Sequence, residues 1–120
     1  MAICAMNKYE LQSRLKELAF RIAKLAEALP KNSLGRYFEN QIIRAAFSAA
    51  ANYRAACIAQ SRAAFIAKLS IAFEEADECV FWLECIQQSG LIKKARLESI
   101  SKEALELSKI LGTSRKNSQG

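Results

Sequence analysis

With 120 residues, 52% of them hydrophobic and 25% charged, four Gly and one Pro, the chain has enough apolar material for one core, and its composition excludes disordered, collagen-like and disulfide-dense classes. Eighteen Lys and Arg against twelve Asp and Glu give a formal charge of +6, and the absence of His argues against imidazole chemistry and Cys/His metal sets. No uncharged stretch is long enough to span a bilayer, and the apolar run at residues 2–6 has no basic segment before it, so a cytoplasmic protein with no membrane contact is expected.

The first helix is predicted over residues 9–29. Leu11, Leu15, Leu18, Ile22, Leu25 and Leu29 recur at spacings of 4, 3, 4, 3 and 4, an apolar stripe of the heptad type. Pro30 stops it, and Ser33 is the expected N-cap of the next helix. That second helix is predicted over residues 34–60, with Phe38, Ile42, Ala45, Ala49, Asn52 and Ala56 on one stripe and Gly35 in its first turn. Half of residues 45–64 are Ala, which lets a neighbouring helix approach closely.

Ser61 marks a break and an N-cap, because a single helix from residue 34 to 89 would far exceed ordinary lengths. The third helix is predicted over residues 62–89, with Phe65, Leu69, Ala72, Ala76, Cys79, Leu83 and Ile86 on its stripe and Gly90 as its C-terminal cap. The fourth covers residues 93–111, carrying Leu97, Ile100, Ala104, Leu107 and Leu111, and Gly112 ends it. Together these define an all-α, antiparallel up-down-up-down four-helix bundle over residues 1–112, with residues 113–120 expected to be a disordered tail. Cys4, Cys57, Cys79 and Cys85 contain no CxxC pair, and the last three sit in apolar helical stretches where a reduced thiol packs as a small hydrophobe.

Charge is segregated. Residues 1–68 hold 11 Lys/Arg against 4 Asp/Glu, residues 69–90 hold five acids and no base, and residues 91–120 hold 7 bases against 3 acids. Such clustering suits a surface that meets phosphates or another acidic partner, or a solvated face with no partner. On the second helix Gln41, Arg44, Ser48 and Asn52 form a polar stripe, and on the third Glu74 and Glu78 lie one turn apart, so Arg44 is expected to pair with Glu74 or Glu78 and fix helix register. No metal is expected, since di-metal carboxylate bundles use Glu-x-x-His motifs. Phe81 and Trp82 point about 100° apart, and with Phe73 they make the third helix apolar over more of its circumference than a monomer requires, so these three are the candidate contacts of a homo-oligomer.

Leu29-Pro30 with Gly35 and Arg36, then Gln41, Arg44 and Ser48, the run from Ala51 through Arg54 to Ala56, Ser61 with Phe65 to Leu69, and Glu74 to Glu78 followed by Trp82-Leu83-Glu84 stand in a distinctive order. In these residues the chain resembles the four-helix-bundle proteins encoded by intervening sequences of bacterial 23S rRNA genes, a family similar to the accessory proteins of diversity-generating retroelements. The resemblance covers about residues 10–90. It implies a bundle that assembles into a ring, a homopentamer, with a basic surface directed at nucleic acid. Phe47 and Ala49 to Ala51 depart from it, standing where a Gly-containing stretch is common.

A non-enzymatic nucleic-acid-binding protein is therefore the leading expectation, contacting RNA or DNA phosphates with little base specificity. Its candidate residues are Arg14, Arg21, Lys24, Lys31, Arg36, Arg54, Arg62 and Lys68, some of which would instead serve intersubunit pairs. The alternative is a ring-shaped scaffold that serves a nucleic-acid enzyme without itself touching nucleic acid. With no P-loop and no Gly-rich phosphate cradle, neither an enzyme nor a bound cofactor is expected.

Overall fold

The N-cap of the first helix is Asn7, whose side chain accepts the Glu10 amide at 2.9 Å and donates to the Glu10 carboxylate at 2.8 Å, satisfying an orphan amide of the first turn. The computed structural model describes residues 6–119; Cys4 and most of the apolar run at residues 2–6 lie outside them. Helix α1 spans Lys8–Ala26 and buries the whole predicted stripe from Leu11 to Leu25. It closes three residues earlier than expected. Residues 27–29 tighten into a terminal turn with i to i−3 hydrogen bonds ahead of Pro30, and this keeps Leu29 in the core without extending the helix.

Helix α2 spans Ser33–Cys57, and its N-cap is Asn32 rather than Ser33: the Asn32 carbonyl oxygen of the side chain accepts the Gly35 amide at 2.9 Å. Gly35 is held against the preceding turn so tightly that a Cβ there would lie 2.0 Å from the Pro30 carbonyl oxygen. Helix α3, Arg62–Ser89, has the predicted bounds, with the Ser61 hydroxyl accepting the Ala64 amide and Gly90 at φ 75 as the C-cap. Because Ser61 must be extended to cap α3, the chain turns over residues 58–60, and α2 ends short of the expected Gln60.

Helix α4 spans Lys94–Gln119 and runs through Gly112, where the sequence suggested a stop and a disordered tail. Gly112 is a packing residue instead. A Cβ there would come within 2.9 Å of the Phe73 ring, the Arg115 guanidinium sits 5.7 Å from the centre of that ring, and Arg62 donates to the Ser118 carbonyl. These contacts with α3 keep residues 113–119 helical.

The four helices form an elongated all-α four-helix bundle, 44 × 27 × 21 Å, in which α2 packs closely on α1 and α3, α3 packs on α4, and α1 touches α4 sparingly. The Ala-rich stripe explains the tight α2–α3 contact, since Ala45, Ala49 and Ala56 on one side and Ala72 and Ala76 on the other are all buried. Leu15, Ile22, Ile42, Leu69, Leu97, Leu107 and Leu111 fill the centre, each contributing about 1.5–3 kcal/mol of burial. Cys79 belongs to this core, while Cys57 and Cys85 pack half-buried against it. No described helix is long and apolar enough to cross a membrane.

Candidate nucleic-acid interface

The eight basic candidates divide by what they touch. Arg14 on α1 is committed to α4, donating through Nε and Nη2 to both oxygens of Glu103 at 3.0 and 2.7 Å, and through Nη2 to Glu106 at 2.7 Å. Its hydrogen bond to Glu103, the largest influence, outweighs burial and raises the guanidinium pKa, so the charge is tied to these acids. Lys31 pairs with Glu39 at 3.4 Å, Arg62 caps the end of α4, and Arg21 donates to the Ser99 hydroxyl at 3.0 Å without losing its charge to an acid. Lys24, Arg36, Arg54 and Lys68 are exposed and have no ion-pair partner among the described residues.

These charges do not form one patch. Arg36 stands about 27 Å along α2 from Arg54, at 1.5 Å per residue. Lys68 lies on α3. What the fold does bring together is centred on the outer face of α1. Arg54 of α2 shares a surface hollow of about 210 Å³ with Lys16 and Phe20. Arg21 and Lys24 share a second, of about 510 Å³, with Phe20, Glu17 and Arg96 of α4. Lys16 and Arg96 were not among the sequence candidates. Yet a signal existed, for Lys16, Phe20 and Lys24 follow one another at spacings of four and therefore share a helix face away from the Leu stripe.

A larger groove of about 750 Å³ runs between α1 and α4, but Glu98, Glu103 and Glu106 face it alongside Arg21 and Lys102. Its acids cancel its bases, so size does not make it an anion site.

The polar stripe of α2 meets α3 as expected, with one change of partner. Arg44 donates to Glu78 and, at 2.9 Å, to Glu75; Glu74 faces solvent, because one residue of helix turns the side chain by about 100°. Glu75 also accepts from the Ser48 hydroxyl at 3.0 Å, and Asn52 donates to Ser48, whereas Gln41 takes no part in this network. Burial pulls the Glu78 carboxyl up, but hydrogen bonding, first from the Trp82 indole at 3.0 Å, and the Arg44 charge leave it below the usual carboxylate range. No group of three or more Cys, Asp or Glu able to hold a metal occurs among the described residues.

Of the three candidate oligomer contacts, Phe73 is covered by Gly112 and Arg115 within its own chain. Phe81 is 51% exposed and packs edge-on against the half-buried Trp82, which Tyr37 meets from α2 at 5.5 Å between ring centres. Leu34 and Tyr37 extend this exposed apolar area.

Fold and surface thus define a small four-helix-bundle protein with a basic outer helix and a separate aromatic patch. The chain belongs to the 23S rRNA-intervening sequence protein family, whose sequence profile matches residues 7–113. It is similar to the 1.70 Å crystal structure of a protein of unknown function from the S23 ribosomal protein family of Bacteroides thetaiotaomicron VPI-5482, with 36% identity and a TM-score of 0.83 over 92% of this chain and 99% of that one. Among curated proteins none matches.

Proposed function

We propose that this chain is a non-enzymatic nucleic-acid-binding protein that holds RNA or DNA by its phosphates. The observation that supports this is the collection of cations with no ion-pair partner among the described residues on and beside the outer face of α1: Lys16 and Arg54 on one side, Lys24, Arg21 and Arg96 on the other, with Glu17 among them and Arg21 also bordering the acidic groove. Such a surface neutralises phosphates and releases counterions, so affinity falls steeply with salt and depends little on base sequence. Arg14 and Lys31 drop out of the contact set because they pair with acids within the chain, and Arg62 because it donates to the end of α4 and lines neither hollow. The test is a salt titration of fluorescence anisotropy on labelled RNA and DNA. Micromolar or tighter binding with a steep salt slope, weakened by Arg54→Ala, supports the reading; no binding at low salt sinks it.

A second reading is favoured by the exposed patch of Leu34, Tyr37 and Phe81. This face buries itself against further copies in a ring, a homopentamer as the resemblance implies, and the ring serves as an adaptor for a nucleic-acid enzyme. Native mass spectrometry tests it: Phe81→Asp is expected to shift the protein to smaller species, and a monomeric wild-type protein would discard the ring.

A further inference from the structure

Phe20 is an anomaly in a bundle of this kind. The ring is 59% exposed, and it stands on the outer face of α1 rather than on the Leu stripe. It is not loosely held, because Phe47 of α2 meets it in a T-shaped contact with ring centres 5.2 Å apart and planes at 89°. One side of the ring is thereby fixed and the remainder faces solvent. The two basic hollows share Phe20 as their common wall: Lys16 and Arg54 lie in one, Arg21, Lys24 and Arg96 in the other. An apolar partner protein would have to cover these cations as well as the ring, and a buried unpaired cation is costly.

We propose that Phe20 is a stacking platform for an unpaired base of single-stranded nucleic acid, with the phosphates on either side of that base held by the cations of the two hollows. The proposal rests on the nucleic-acid reading above and adds to it the form of the ligand. In a duplex the bases stack on one another and present only their edges and the backbone, so an exposed Phe finds no π face to meet. In a single strand every base offers one, whatever its identity, and an aromatic ring between cations follows the strand without reading its sequence.

Anisotropy titrations with labelled oligouridylate, oligothymidylate and matched RNA and DNA duplexes test this on the full chain. Phe20→Ala is expected to weaken both single strands about tenfold or more, to move duplex affinity less than about twofold, and to leave the salt slope as it was. Arg54→Ala lowers the slope by about 0.7, the value for one phosphate of a single strand. Phe20→Trp restores single-strand binding, and 2-aminopurine in the strand is quenched by the wild type and the Trp variant but not by Phe20→Ala. Circular dichroism and native mass are unchanged in the Ala variant, since the ring is outside the core. Equal losses on strand and duplex, no loss at all, or a changed oligomer mass would each overturn the stacking role. If the wild type binds neither strand nor duplex, the nucleic-acid reading itself falls; if it binds both and Phe20→Ala changes nothing, only the stacking role does.

Discussion

Replacing Arg14 with Met separates a structural cation from a phosphate contact. Met keeps the apolar stem but removes three charge-assisted hydrogen bonds that join α1 to Glu103 and Glu106 on α4, at 3.0, 2.7 and 2.7 Å. Arg14 and Glu103 are each about a quarter exposed, at 27% and 24%, so their bonds are less screened than those of a surface pair, which contribute only about 0.2–1 kcal/mol. Glu103 and Glu106, one turn apart, would also repel each other by about 0.2–0.5 kcal/mol once the guanidinium is gone. The sum is a loss of about 1–2 kcal/mol. With an unfolding entropy of about 2.1 cal/mol/K per residue, this chain should melt about 4–8 °C lower. Thermal circular dichroism at low and high salt is the assay, the deficit shrinking as salt screens the pair. A melting point shifted by less than about 1 °C, together with a reduced salt slope for nucleic acid, would refute the reasoning and make Arg14 a phosphate ligand.

Gly35→Ala is expected to destabilise by about 1–3 kcal/mol in urea unfolding, although Ala is the better helix former, because its Cβ would sit 2.0 Å from the backbone oxygen of Pro30; a stabilised variant would contradict the close approach. Glu78 titrates below its ordinary value of 4.5 when folded, so the stability it contributes is complete above the unfolded value and drains as pH falls through the folded one. Glu78→Gln should therefore show a smaller drop in melting temperature between pH 6 and pH 3 than the wild type, and an unchanged drop would remove Glu78 from the acid limb. Burial, reinforced by Glu75 and Glu78, pushes the Cys79 thiol up to about 12. Mass spectrometry after iodoacetamide treatment of the native protein at pH 8 should find Cys79 unmodified, and labelling there before unfolding would show the core to be open.

The helical core was readable because α1 to α4 each carry an unbroken heptad stripe, and every predicted stripe position except Asn52 and Phe65 is fully buried. Boundaries were less so. Asn32 and Ser33 are both good N-caps, and the choice depends on the Pro30 turn seated on Gly35, a contact between backbone segments that side-chain pattern does not reveal. Gly112 reads locally as a stop, but its missing Cβ serves Phe73 on a helix 39 positions earlier in the chain. The site was partly legible for the same reason. Positive charge was countable, yet which cations were engaged depended on the register of α1 against α4, and a one-residue rotation decided between Glu74 and Glu75. Phe20 escapes the sequence pattern because it lies off the core stripe, and its packing partner Phe47 stands on another helix, a pairing that spacing along α1 does not reveal.

The sparse contact between α1 and α4 leaves one seam of the bundle open along its outer edge. Across that edge Arg14 and Arg21 of α1 reach Glu103, Glu106 and Ser99 of α4, bordering the groove of about 750 Å³. The Leu stripe of α1 is nonetheless buried in the shared core, so releasing the helix would rewet Leu11, Leu15, Leu18, Ile22 and Leu25 and belongs to global unfolding rather than to a local opening. Amide hydrogen exchange should reflect this, with the α1 amides beside that stripe exchanging together with those of the Ala-lined α2–α3 pair. The helix that presents the basic face is thereby anchored along its apolar side, so a flexible strand settles on a surface that keeps its shape.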